Sequence, residues 1–463
     1  MLMQRKLLTL LFISLLVLGL GVWVWQISCD TRPAATTNKP QIPIYTAKGV
    51  SIALVPQKGT EAIDRELRSL QNEARSKSLP PEIMTRLGWA FVRKARLSYD
   101  PGYYKLAEQC TLSVQTRHPG NPDALLLQGH ILQSLHEFKE AEPIARELIK
   151  VRNDASDHGL LGDVLMEQGK LSAAIDAYQE MMDLRPDPEA YTRVAHMRWL
   201  KGDLGGAIEM MEMAAAAASP REPEPGAWAY TRLGIYSLQA GQLQIAERSA
   251  SFALQYINEY PPALLLRGRV FLAKGKTSSA IEFLRKAATL NPLPEYQWIL
   301  ADALRATGTE KGAEEVEQKL ISSGPANDPR TFALFLATRQ QQLAQCLQLA
   351  LDELKTRQDI LTMDALAWAL RANGRAAEAL SYSQKSVAEG TQDGRLFYHA
   401  GCVAMENARY AEASDLFARA DQIKQTLFPS EQTDLNKQCA VLKEIEAKDS
   451  TAQHATAQTA NYK

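Results

Sequence analysis

Apolar positions along the chain recur on two scales. Within short segments they fall at helical spacing. Leu161, Gly162 and Leu165 form one stripe, Gly169-Lys170 interrupts it, and Ala174, Tyr178 and Met181 resume it before Pro186. Leu366, Ala367 and Leu370, followed by Asn373-Gly374 and Ala379, repeat the arrangement much further on. Across segments a small residue returns at intervals of 34, 33, 33, 39, 34, 33, 33, 33 and 34: Ala107, Ala141, Ala174, Ala207, Ala246, Ala280, Ala313, Cys346, Ala379 and Ala413. A second series runs in phase upstream: Gly88, Gly129, Gly162, Ala195, Gly234, Gly268, Ala301, Leu334, Ala367 and Gly401. A period near 34 predicts helix pairs stacked into an all-α solenoid, with a small side chain wherever two helix backbones cross closely. Gly169, Gly202, Gly241, Gly275, Gly308 and Gly374 mark turns between paired helices, and prolines 119, 186, 261, 292 and 325 stand where a second helix is expected to stop.

Outside the repeat the pattern changes. Residues 1–6 form a short basic start, and an unbroken apolar stretch from Leu7 to Trp25, with Trp23 and Trp25 at its end, is long enough to cross a bilayer as one helix. We place this anchor at 7–28. Gln26-Ile27-Ser28-Cys29 offers no clean signal-peptidase site and only a poor lipoprotein box, so an uncleaved signal anchor is favoured over a lipoprotein acylated at Cys29 or a cleaved peptide. The short N-terminus favours export of the repeats. Residues 29–60, with Pro33, Pro40, Pro43 and Pro56, are expected to be an extended tether, 61–80 a capping helix, 81–428 the solenoid, 429–448 a last helix and 449–463 a disordered tail.

The repeated residues resemble the tetratricopeptide repeat family, whose pattern is Leu-Gly and an aromatic on one helix, then Ala, aromatic, Ala and Pro on the next. The resemblance covers about residues 80–428 and implies a right-handed superhelix of about ten helix pairs, used as a scaffold. The eighth unit departs from it, with Leu334 and Cys346 at the small positions. Seven extra residues around Tyr99-Asp100-Pro101-Gly102 lengthen the first unit, and Ser219 to Pro225 lengthens the junction of the fourth and fifth.

Composition and charge narrow the function classes. Hydrophobic residues are 46%, charged residues 23% and the net charge is −1, so no nucleic-acid footprint is indicated. The five cysteines, 29, 110, 346, 402 and 439, have no metal-ligand spacing and are read as free or buried thiols; neither a metal nor a cofactor is expected. No catalytic motif is present, and the chain is not expected to be an enzyme. Gly275-Lys276-Thr277 imitates the end of a phosphate loop, but Val270 stands where its first glycine belongs. Thr277 is therefore read as a helix N-cap. His130 and His196 are read as polar lining.

One face of the first helices carries the candidate site. In the family resembled, this side lines the concave groove. Trp89, Arg93, Trp199, Trp228, Arg269, Trp298, Arg305, Phe335, Arg339, Trp368, Arg371 and Tyr398 all fall on it, with the acids Asp163, Glu167 and Asp302. Tryptophan and arginine dominate binding hot spots, so this stripe predicts a groove for a peptide or protein partner. Padding between neighbouring helices is the competing explanation. The expected whole is a single-pass, inner-membrane, bacterial-type scaffold with a periplasmic groove. A substrate-recognition subunit of an enzyme complex and a binder of a glycan or lipid-linked saccharide remain open alternatives.

Overall fold

The computed structural model describes residues 47–460, with side chains over 49–448, and the described residues are helical with no strand. The Leu7 to Trp25 span, Cys29 and most of the tether lie outside them. No helix among the described residues is long and apolar enough to cross a membrane.

Two helices precede the repeats: α1 (Ala47–Ala53) and α2 (Ala62–Ser76). Ten pairs follow: α3 (Pro81–Ser98) with α4 (Gly102–Arg117), α5 (Pro122–Ser134) with α6 (Phe138–Val151), α7 (Ala155–Glu167) with α8 (Leu171–Leu184), α9 (Pro188–Leu200) with α10 (Leu204–Ala216), and α11 (Pro223–Gln239) with α12 (Leu243–Tyr256). The series continues with α13 (Pro261–Ala273) and α14 (Thr277–Leu290), α15 (Pro294–Ala306) and α16 (Glu310–Asn327), α17 (Pro329–Arg339) and α18 (Leu343–Thr356), α19 (Ile360–Ala372) and α20 (Ala376–Val387), and α21 (Gly394–Glu406) and α22 (Tyr410–Gln422). A short 3₁₀ turn (Lys424–Thr426) leads to the last helix, α23 (Pro429–Ala460).

The small residues sit where the period places them. All ten members of the series from Ala107 to Ala413 have no exposed surface. A methyl group added at Gly162 would stand 2.3 Å from the Tyr178 ring, one at Gly234 2.3 Å from Leu266, and one at Gly401 2.4 Å from the Phe417 ring. Both ends of each first helix are written locally. Asn121, Asp187, Asp328, Asp359 and Asp393 cap first helices through side-chain oxygens that accept backbone N–H groups, and proline opens several others, its missing N–H being unneeded there. The prolines thus open first helices as much as they stop second ones: Pro261 starts α13, while Pro325 lies inside α16.

Several sequence expectations need correction. Part of the supposed tether is α1, whose Val50 is buried, and Gln71 Nε2 donates to the Ala53 and Val55 carbonyls at 2.8 and 2.7 Å, docking it on the array. Thr277 is the first helical residue rather than the cap, which is Lys276 with no side-chain bond. The eighth unit keeps both helices: Cys346 is small enough to pack there, its Sγ 3.2 Å from the Ala333 carbonyl. At its turn Gln340 and Gln342 take left-handed conformations, as His136 and Ala408 do in units two and ten, where units three to seven and nine use glycine. The last helix runs past 448 to Ala460, through residues expected to be disordered.

The array closes on itself. Gln358 N–H donates to the Glu167 carbonyl at 2.9 Å, and Thr391 Oγ1 donates to the Leu200 carbonyl at 2.5 Å across 191 residues. Lys201 pairs with Glu389 beside them. That separation is about five and a half repeats of 34, so turns of units three and four meet the starts and ends of units eight to ten. Ile360 and Leu396 accordingly join the core of units two to five.

Gly169 is pressed into this seam. It holds φ +72°, and a Cβ there would stand 2.5 Å from the Gln358 carbonyl oxygen, whereas Gly275 at φ +69° has open space around it. Gly275→Ala is expected to cost about 1 kcal/mol for the left-handed backbone alone. Gly169→Ala should cost about 1 to 2 kcal/mol more, because the opposing backbone must move. Equal urea midpoints for the two variants would show that the seam is open in solution.

Candidate functional site

The twelve candidate residues divide into three groups. Arg93 and Trp228 are exposed and Trp89 is half-buried; Arg93 pairs with Glu66, and the Trp89 ring meets His130 edge-on at 5.1 Å. Trp199 is buried, stacked between His196 at 5.3 Å and Tyr236 at 6.0 Å. Burial, followed by the nearby Arg232 charge, lowers the His196 pKa to about 3, so this imidazole is neutral.

The remaining eight line units six to ten, the aromatics buried and the arginines half-buried. Trp298 has no exposed surface, its ring edge-on to Phe335 at 5.8 Å and to Phe428 at 5.0 Å. Trp368 is stacked on His399 at 3.8 Å and donates its indole N–H to Thr338 Oγ1 at 2.9 Å. The arginines are neutralised from within: Arg305 forks onto Glu317 at 2.5 and 2.6 Å, Arg339 bonds Asp302 and Glu317, and Arg371 pairs with Glu406 at 2.7 Å. Burial raises the Glu317 pKa, but the charges and hydrogen bonds of Arg305 and Arg339 outweigh it and hold the carboxyl below its ordinary value. Along units six to ten the stripe expected to line an open groove is thus largely covered and internally paired.

What fills that face is the chain's own segment 425–434. Gln425 Nε2 donates to the Leu238 and Gln239 carbonyls, and Arg269 Nη2 donates to the Thr426 carbonyl at 2.8 Å. Phe428 enters against Trp298. Ser430 bonds Asp302 through both its N–H and its hydroxyl, Glu431 accepts from Arg395 Nε at 2.6 Å, and the Tyr398 hydroxyl donates to Asp434 at 2.7 Å. The sequence carries a faint sign of this in Leu427-Phe428, two apolar residues just past the last repeat.

A cleft remains at the seam, with a volume of about 380 Å³. Trp199 and His196 from α9 and Glu167 from α7 face Arg330, Arg357 and Asp359 from units eight and nine. Sequence inspection singles out Trp199, His196 and Glu167. It misses Arg330, Arg357 and Asp359, because they reach the site only through the superhelical closure.

Comparison with known proteins agrees with the repeat. The tetratricopeptide repeat family model matches residues 126–187, 160–223, 231–293 and 265–328. No curated protein matches the sequence. Among solved structures, Pseudomonas aeruginosa pilF is 15% identical and the match covers 47% of this chain and 96% of that one, with a TM-score of 0.38. A human IFIT1 dimer with PPP-AAAA is 15% identical, covering 70% of this chain and 77% of that one at a TM-score of 0.47. YrrB, a TPR protein with an unusual peptide-binding site, is 15% identical and covers 43% and 97% at 0.31. With the period and the buried small positions, these matches show tetratricopeptide repeats over residues 126–223 and 231–328.

Proposed function

We propose that this protein is a membrane-tethered scaffold, anchored by Leu7 to Trp25, whose exported repeat array holds a peptide or protein segment of an envelope complex on its inner face. One observation carries the binding half of this reading: that face already receives another part of the chain, residues 425–434, which run from the 3₁₀ turn into the first turns of α23. It recognises a backbone carbonyl through Arg269, an aromatic ring through Trp298 and a carboxylate through Tyr398. These are the contacts a partner segment needs. A saccharide on the tryptophans is the weaker reading, since Trp199, Trp298 and Trp368 are each at most 5% exposed. A recognition subunit for an enzyme fits the same surface and would announce itself by co-purifying activity.

The exposed members of the stripe are the ones to test. In crosslinking pull-downs from membranes with the full chain, Trp228→Ala with Arg93→Ala is expected to reduce partner recovery while the melting temperature stays near wild type. A reporter that works only outside the cytoplasm, fused after Lys463, should be active. Unchanged recovery would remove the stripe from the binding surface, and an active cytoplasm-only reporter would overturn the topology.

A further inference from the structure

We infer that the seam cleft between units three and four and units eight and nine is a binding site for a small organic anion, an apolar body carrying a carboxylate. The inference does not rest on the scaffold reading, because the cleft is separate from the face that segment 425–434 fills.

The cleft holds N–H donors that the protein leaves partly unused. Trp199 is 5% exposed and its indole Nε1 is buried without a hydrogen-bond partner. Arg357 Nε is also buried; it lies 3.0 Å from Glu167 Oε2, yet out of line for a hydrogen bond. Arg330 uses only Nη1, at 3.3 Å from both Asp359 oxygens and 3.5 Å from the Thr362 hydroxyl, and its other N–H groups donate to no group among the described residues. Of the acceptors, Glu167 is held only as the ion partner of Arg357, while Asp359 and Glu389 are hydrogen-bonded. Asp359 accepts from the Leu361 and Thr362 N–H groups at 2.8 and 3.0 Å and from the Thr362 hydroxyl at 2.9 Å, besides Arg330. Glu389 is held by Lys201. Trp199 Nε1 and Arg357 Nε are shielded by their surroundings, so the donors left for a ligand are the unused N–H groups of Arg330, and the cleft suits a ligand that supplies acceptor oxygens to them.

The walls say what else the ligand has. Trp199, Leu200, Ile360 and Met363 also line the cleft and give it apolar surface beside the guanidinium groups. A volume of about 380 Å³ lies within the span of small-molecule sites, roughly 300 to 1,000 Å³. Guanidinium N–H groups match a carboxylate in geometry as well as charge. The closures at Gln358–Glu167 and Thr391–Leu200 brace the cleft before anything binds, which lowers the ordering needed on binding.

Two sources carry this chemistry, a free small carboxylate and the carboxyl terminus of a peptide. The test uses the full chain in detergent, titrated with 3-phenylpropionate, its neutral alcohol 3-phenylpropanol, and N-acetyl-Gly-Phe as free acid and as amide, read by tryptophan fluorescence and thermal shift. The acids are expected to bind and raise the melting temperature, and the alcohol and amide to bind about tenfold more weakly or not at all. Tighter binding of phenylpropionate assigns a small-molecule ligand; tighter binding of the peptide acid assigns a peptide terminus. Arg330→Gln should weaken the acids about tenfold while leaving the alcohol unchanged. Should that variant unfold, the acid-against-neutral comparison on the wild type decides alone. No binding by either acid at millimolar concentration, or equal binding of acid and neutral forms, overturns the assignment.

Discussion

Trp298→Ala is expected to destabilise the array by about 3 to 5 kcal/mol, among the largest effects of any single change. The indole has no exposed surface and touches three parts of the chain at once: Phe335 from unit eight, Phe428 from the terminal segment, and the Arg395 guanidinium 5.0 Å from its ring. Truncation leaves a cavity that cannot collapse without pulling these apart. The indole N–H is buried without a partner, so Trp298→Phe removes an unmet donor along with some volume and should cost under about 1.5 kcal/mol. Urea unfolding of the two variants separates the effects, and hydrogen exchange shows whether units six to ten open first. A Trp298→Ala protein as stable as wild type would mean that the ring faces an open groove after all.

That expectation inverts what the sequence suggests, and the reason is physical. The helix pairs are legible because their crossings are local: a backbone contact between residues about twelve apart leaves a small side chain at a fixed period, and no other pattern produces it. Helix ends are legible for the same reason, through Asp187 or Asp328 at a start and Gly202 or Gly308 at a turn. Which face of a first helix ends up covered is a different kind of fact. It depends on how tightly the superhelix winds, a sum of small rotations over five or six units that leaves no mark in any one of them. Trp199 and Trp228 look alike in sequence. One is 5% exposed, stacked between His196 and Tyr236 beside the seam, and the other is 37% exposed.

The arginine run misleads in a related way. Arg305 and Arg339 share Glu317, which sits on the second helix of the seventh unit, and Asp302 meets both Arg339 and Ser430. Asp302 is visible on the predicted stripe as an acid among arginines. Its bond to Ser430 is not visible, since that requires the terminal segment to arrive. Burial dominates at this carboxyl and raises its pKa in spite of Arg339, so Asp302 is held less firmly in its charged form than Glu317 is.

Glu431→Ala is expected to release the terminal segment from the inner face at a cost of about 3 kcal/mol. Glu431 is fully buried; its carboxylate accepts from Arg395 Nε at 2.6 Å and Nη2 at 3.2 Å, and from the Phe428 N–H at 2.8 Å. Removing one partner of a buried pair leaves the other charge uncompensated, about 3 to 5 kcal/mol, and the lower end applies because the Arg395 side chain keeps 20% exposure. Glu431→Gln keeps the shape and part of the hydrogen bonding and should cost less. The pair also sets a pH dependence. Burial raises the Glu431 pKa, but Arg395 outweighs it, so the folded value lies below the unfolded one. Stability from this group is therefore complete above the ordinary carboxylate range and lost as pH falls through the folded value. The hydrogen-exchange protection factors of residues 425–442, taken relative to the intrinsic rate at each pH, should fall in acid for the wild type, while in Glu431→Gln they should be lower already at neutral pH and change little on acidification. If both proteins protect the segment equally at neutral pH, Arg395 and Glu431 do not hold it, and Phe428 packed on Trp298 becomes the contact that does.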